Sequence, residues 1–224
     1  MKITIIANGE FPARREILDG IAASDRVVCC DGAFGKYLLA VRQGLLRMGN
    51  LPQTPVAVVG DGDSLAPEVL EKARRAGVAF EWVKVEEQEM NDLTKAVRHV
   101  VARWADAETP LSVDIVGATG LREDHTLGNI SLLAYYMEQY PAIAFRMVTD
   151  HGMFLPVRGR AVIATHRGQQ VSLFSLTPEV PVSVEGLRWP IDRRCLTQWW
   201  QGTLNEALGD SFTVIGGTML VFLG

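Results

Sequence analysis

Val56-Ala57-Val58-Val59-Gly60-Asp61-Gly62-Asp63-Ser64 is the stretch that decides how this chain folds. Four small or β-branched apolar residues in a row, without polar alternation, predict a strand buried on both faces, the habit of a parallel sheet. In an open parallel sheet ligands gather outside the carboxyl ends of the strands, and two aspartates stand at that end. If the backbone stays extended, residues two apart share a side. Asp61 and Asp63 then face one hard cation while the glycines admit a phosphate close to the main chain. The other reading of these residues is a polar turn in which Asp63 or Ser64 caps a helix starting near Pro67.

On either side of this stretch, short apolar runs alternate with longer amphipathic ones, the pattern of β-α-β units. Strands are predicted at residues 3–7, 27–30, 56–59, 80–83, 113–116 and 145–148. Their polar endings include Asn8-Gly9, Asp31-Gly32, Gly117-Ala118-Thr119-Gly120 and Thr149-Asp150, and a parallel sheet brings such endings to one edge. Leu93, Ala96, Val97, Val100, Val101 and Trp104 form the apolar stripe of a helix, with Asn91 or Asp92 as its cap or Asp92 as a ligand. Leu127, Ile130, Leu133, Ala134 and Met137 form another helix, ending before Pro141. Asp124 stands at its start, either as a cap or, with Arg122 and His125 flanking it, as part of a site. Beyond about residue 150 the helical stripes stop, and short runs at 161–164, 171–176, 182–184, 212–215 and 220–223 read as strands. The expected fold is therefore an N-terminal α/β domain over residues 1–150, with a parallel sheet in three layers, followed by an all-β sandwich domain over 151–224. The boundary falls between 149 and 158.

With 224 residues, 48% of them hydrophobic, the chain has ample material for packed cores. A net charge of −4 argues against a nucleic-acid binder, which needs a broad basic surface. The apolar stretch at the N-terminus is too short for a secretion signal, and no run is long enough to span a bilayer, so no membrane partner and a cytoplasmic location are expected. Three cysteines, with Cys29 and Cys30 adjacent in an apolar run, read as buried small hydrophobes and not as a disulfide framework or zinc site.

Four segments in order closely resemble thiamin pyrophosphokinases: Cys30-Asp31-Gly32-Ala33; Gly60-Asp61-Gly62-Asp63-Ser64; Gln88-Glu89-Met90-Asn91-Asp92-Leu93-Thr94-Lys95-Ala96; and Gly117-Ala118-Thr119-Gly120-Leu121-Arg122-Glu123-Asp124-His125-Thr126-Leu127-Gly128-Asn129-Ile130. The resemblance implies transfer of the pyrophosphoryl group of ATP to the hydroxyl of thiamin, giving thiamin diphosphate and AMP, by a homodimer with its active site between subunits. It implies Mg²⁺ at Asp61, Asp63 and Asp92. Arg122 and Asp124 join these three as catalytic residues, and Asp31, Gln88, Thr119, Gly120, Arg122, His125, Asn129 and Asn205 bind substrates. Physical chemistry agrees in kind: acidic side chains assist polyphosphate chemistry only through a metal, and a planar guanidinium suits phosphate oxygens. Gly117-Ala118-Thr119-Gly120 reads as a phosphate cradle or as an ordinary strand-to-helix turn. Trp199 and Trp200 offer faces for an aromatic cation or a packing surface.

Three positions depart from the resemblance: Leu121 in place of glycine, Glu89 in place of aspartate, and Leu204 in place of serine. Leu204 removes a hydroxyl from the thiamin side. Two alternatives accompany the reading, a diphosphokinase for another hydroxyalkyl heterocycle such as a pterin, and a nucleotide-sensing module without turnover.

Overall fold

The computed structural model of the chain describes residues 1–47, 49, 51–87 and 89–224, which divide into two compact units, Met1–Ile130 with Ala142–Asp150 and Ser131–Pro141 with His151–Gly224. In the first unit strands and helices alternate as β1 (Lys2–Ile6), α1 (Arg15–Ala22), β2 (Arg26–Cys30), α2 (Ala33–Arg42), β3 (Val56–Gly60), α3 (Pro67–Arg75), β4 (Phe80–Lys84), α4 (Asp92–Trp104) and β5 (Leu111–Val116). Then follow α5 (Glu123–Gln139), whose opening turns belong to this unit, and β6 (Ile143–Thr149). Every ladder among β1 to β6 is parallel, in the order β6-β5-β1-β2-β3-β4.

The apolar runs explain this sheet. Ile6, Val27, Cys29, Val58 and Val116 join side chains of α1, α2 and α3 in one hydrophobic cluster. Their alternates Ile5, Val28, Cys30 and Val59 point to the opposite face, where α4 buries Leu93, Ala96, Val97 and Val100 beside β1, β2 and β3. Ile5, Val28, Cys29 and Val58 are fully buried, and a large aliphatic side chain removed from water in this way contributes about 1.5–3 kcal/mol. The chain steps outward from β1 to β4 and then returns to lay β5 on the other side of β1. The strand order therefore reverses between β1 and β5, the point at which an α/β sheet opens a crevice at its carboxyl edge.

The second unit is strand-rich and antiparallel: β7 (Gly152–Ala164), β8 (Gln170–Ser175), β9 (Val182–Glu185), β10 (Ile191–Arg194), β11 (Asn205–Glu206) and β12 (Ser211–Leu223). The runs at 212–215 and 220–223, expected as two strands, are one. Gly216 and Gly217 sit between them with φ of 96° and 64°, values that glycine alone adopts without strain. They form a bulge that shifts the register against β7 between Ile215 and Thr218. The bend lets β12 pair with β9 before the glycines and with β8 after them, around a core that includes Leu173, Val184, Phe212, Val214 and Val221. The short β10 and β11 carry too little apolar pattern to be read from sequence.

Two capping expectations change. Helix α3 is capped by Ala66 without a side-chain hydrogen bond and starts on Pro67, so neither Asp63 nor Ser64 caps it. Helix α5 begins at Glu123, one residue before Asp124, which places Asp124 inside the helix. At α4 the choice falls on Asn91, whose Oδ1 accepts the Thr94 N–H at 2.9 Å, leaving Asp92 for other work. No described helix is long and apolar enough to cross a membrane.

Candidate active site

The loops that leave β1 and β5 are laced together. Ala7 N–H donates to Val116 O at 2.9 Å, Gly9 N–H to Gly117 O at 2.6 Å and Glu10 N–H to Thr119 O at 2.8 Å. Such close approach requires glycine: a Cβ on Gly9 would lie 2.5 Å from the carbonyl oxygens of both Gly117 and Thr119. Lys36 of α2 fastens the same loop from below, donating to Asn8 O at 2.8 Å and Gly9 O at 2.5 Å, and burial pushes its ammonium below the usual lysine range. Beside this lacing lies a cleft of about 440 Å³, walled by Asn8 and Gly9 after β1, Asp61 and Ser64 after β3, Asn91, Asp92 and Lys95 of α4, Ala118 and Thr119 after β5, and Arg122, His125 and Asn129 around the start of α5. That volume lies in the range of small-molecule sites.

The acids do not sit as an extended strand would place them. Gly62 turns left-handed, with φ of 95°, and Asp61 Oδ1 accepts the Asp63 N–H at 3.1 Å, a local Asx turn. Asp61 consequently faces inward, with its side chain 15% exposed, while Asp63 is exposed and lies outside the cleft. Asp61 meets Asp92 instead, through Lys95: its Nζ stands 2.8 Å from Asp61 Oδ2 and 3.2 Å from Asp92 Oδ1. Among the described residues no three His, Cys, Asp or Glu side chains group closely enough to hold a metal ion.

Under this pair lies Asp31, 1% exposed, with φ of 36°, a conformation rare for a residue with a Cβ and tolerated by aspartate. Its Oδ2 accepts the Ser64 N–H at 2.8 Å, and its Oδ1 has no hydrogen-bond partner among the described residues. Burial raises its pKa, the Ser64 N–H works against that rise, and the neighbouring carboxylates of Asp92, Asp61 and Asp63 add to it. A Cβ on Gly60 would stand 2.6 Å from that of Asp31, which is why glycine closes β3. Strain, burial and an orphaned carboxylate oxygen coincide at one strand end, as they do at functional sites.

At the start of α5, Arg122 grips Asp124 with both arms of its fork, at 3.1 Å and 2.6 Å. That grip, followed by the His125 N–H, holds the Asp124 carboxyl down at about 2, so this acid stays ionised throughout the ordinary pH range. Both side chains are well exposed; Arg122 lines the cleft and Asp124 does not. Asn129 donates to Ala118 O at 2.8 Å and accepts from Asn91 at 3.4 Å, joining the loop after β5 to the cap of α4. Gly120 (φ 95°) gives up side-chain space to Glu10. Gln88 lies outside the described residues. Asn205 belongs to the second unit, buried, with its amide engaged by the Trp189 backbone at 3.1 Å and 2.7 Å.

The structure gathers Asp61, Asp92, Thr119, Arg122, His125 and Asn129 around one cleft and leaves Asp31 buried outside its lining. Sequence reasoning brought the Asn8-Gly9 ending to the same edge but did not single out Lys36, Ser64 or Lys95 as parts of a site. For Lys95 a signal existed: it stands three residues after Asp92, on the same helical face.

The model of the thiamin pyrophosphokinase catalytic domain matches residues 19–145, and that of the thiamin pyrophosphokinase substrate-binding domain matches 152–222. The chain belongs to the thiamin pyrophosphokinase family. Members of this family are enzymes of ATP-dependent pyrophosphoryl transfer. The thiamine pyrophosphokinase of Bacillus subtilis is 25% identical over 162 residues, 71% of this chain and 72% of that one. Solved thiamin pyrophosphokinases share the fold: the yeast enzyme with a TM-score of 0.80 at 18% identity, covering 100% of this chain and 86% of its own, and that of Candida albicans with 0.78 at 18%, covering 99% and 89%.

Proposed function

We propose that this thiamin pyrophosphokinase family member transfers the pyrophosphoryl group of ATP to the hydroxyl of thiamin, releasing AMP, with Mg²⁺ held at Asp61 and Asp92. One observation carries the reading: the cleft at the strand-order reversal gathers paired acids, a glycine-lined loop and an arginine fork in one place. The donor set fits the ion. Both side chains are hard oxygen ligands, the Lys95 ammonium already lies between them, and magnesium takes only one or two carboxylates directly. When bound, Mg²⁺ supplies positive charge that neutralises the polyphosphate and its leaving group.

The chain's own groups do the positioning. Gly9, Gly117 and Gly120 let the loops after β1 and β5 close against one another and against Glu10, so that Gly9 and Thr119 are held at the wall of the cleft. Arg122 exchanges its exposed pairing with Asp124, which water and salt screen, for the denser charge of a polyphosphate. His125 and Asn129 orient what lies above α5. With substrates held in line, transfer proceeds by proximity and electrostatics and needs no covalent intermediate on the protein.

On the thiamin side, Trp199, which packs against Phe174, and Trp200 are 46% and 71% exposed, and an exposed indole suits an aromatic cation. Trp189 and Leu204 of the same unit are also exposed, at 55% and 77%, and this much exposed large apolar side chain supports a homodimer with the active site at the subunit interface. Free thiols at Cys29, Cys30 and Cys195 support a reducing, cytoplasmic compartment, and cell fractionation that recovers the protein elsewhere would refute that.

The deciding experiment incubates the purified chain with Mg²⁺, ATP and thiamin. AMP and thiamin diphosphate are expected to appear one for one, from a species that sediments as a dimer. AMP released only with another hydroxyalkyl heterocycle would reassign the acceptor. Nucleotide binding without AMP would sink the catalytic reading, and full turnover by a monomer would remove the interface.

A further inference from the structure

Lys95 is out of place by ordinary rules. It lies in the opening turns of α4, where the helix dipole disfavours a cation, and its side chain is 3% exposed, where desolvation opposes charge. A lysine there is explained only by what it touches, and its ammonium touches Asp61 on one side and Asp92 on the other. The Asn91 cap contributes, because it fixes the first turn of α4 and so directs Asp92 and Lys95 to the same face.

We propose that Lys95 is a positioning residue, a built-in counter-cation that holds Asp61 and Asp92 together before any ligand arrives and presets the spacing and net charge that a divalent cation meets. The inference rests on the proposed function for the identity of that cation, and on the geometry alone for the holding of the two acids. Without the ammonium, two partly buried carboxylates repel one another, and an unpaired buried charge is among the costlier defects a fold can carry. A divalent ion makes good the missing positive charge. A lysine that merely filled space would behave differently, since methionine fills nearly the same volume.

The test is thermal unfolding of the full chain and of the Lys95→Met, Lys95→Arg and Asp61→Asn/Lys95→Met variants, in EDTA and in saturating Mg²⁺ without nucleotide. Lys95→Met is expected to melt about 5–10 °C below the parent in EDTA, with at least half of that deficit removed by Mg²⁺. Lys95→Arg, which keeps the charge, is expected to stay near the parent. The double variant is expected to melt above Lys95→Met in EDTA, because one repelling carboxylate is gone. An equal deficit with and without Mg²⁺, in a parent that itself responds to Mg²⁺, overturns the proposal.

If the parent shows no response to Mg²⁺, the metal reading fails by itself. Lys95 is then judged by the double variant: recovery sustains its role and none overturns it. Should Lys95→Met not fold, a folded double variant sustains the proposal and an unfolded one overturns it.

Discussion

Asp61→Asn is expected to slow pyrophosphoryl transfer by about 10²–10³-fold, the usual loss when one preorganised charge-stabilising group is removed. The substitution keeps the shape and one acceptor oxygen but deletes the negative charge that faces the cleft, and Lys95 retains Asp92 as a partner. Folding should therefore survive, and a melting curve near that of the parent is part of the expected result. Asp63→Asn is the informative comparison. Its carboxylate is exposed and outside the cleft, so its loss should slow transfer far less. Steady-state rates at saturating ATP and Mg²⁺ decide between them: a folded Asp61→Asn with near-normal turnover would remove Asp61 from the chemistry.

Gly9→Ala is expected to damage both stability and nucleotide binding. The new methyl would press on two backbone carbonyls, of Gly117 and Thr119, and backbone cannot swing aside as a side chain does. Relief requires the loops after β1 and β5 to part, at the expense of the bonds from Gly9 to Gly117 and from Glu10 to Thr119. Overpacking costs about 1–3 kcal/mol and each hydrogen bond about 1 kcal/mol, so a fall in Tm of roughly 5–15 °C is expected. Gly128→Ala is the control, since nothing lies within 4 Å of its added Cβ and alanine is the better helix former by about 1 kcal/mol. Equal melting temperatures for the two variants would show that the lacing of the loops carries no weight.

The strands of the first unit were legible because unbroken Val and Ile runs have few alternatives to a buried sheet, and their polar ends followed from the parallel arrangement. Conformation inside the loops was not legible. The Asp61–Asp63 pairing assumed extended backbone, whereas Gly62 turns left-handed and sends the second acid outward. The Trp82 ring lies 3.5 Å from where a Cβ on Gly62 would stand, a tertiary neighbour that no local pattern contains. Ser64 read as a cap, but its N–H serves Asp31, 33 residues away. Lys95 stands in the resembling segment without a role of its own, since sequence shows the i, i+3 spacing to Asp92 but not the strand end that brings Asp61 to the same ammonium. In the second unit Gly216-Gly217 read as a break, because a pair of glycines means a turn unless partner strands hold it open.

That doubly shared strand has a consequence for how the second unit comes into being. β7 and β8 are synthesised well before β12, yet their long ladders both run to it. Made from one end to the other, the polypeptide must carry those two segments with unmatched edges until the bent strand emerges to stitch them. The native pairing of both waits on that one late segment.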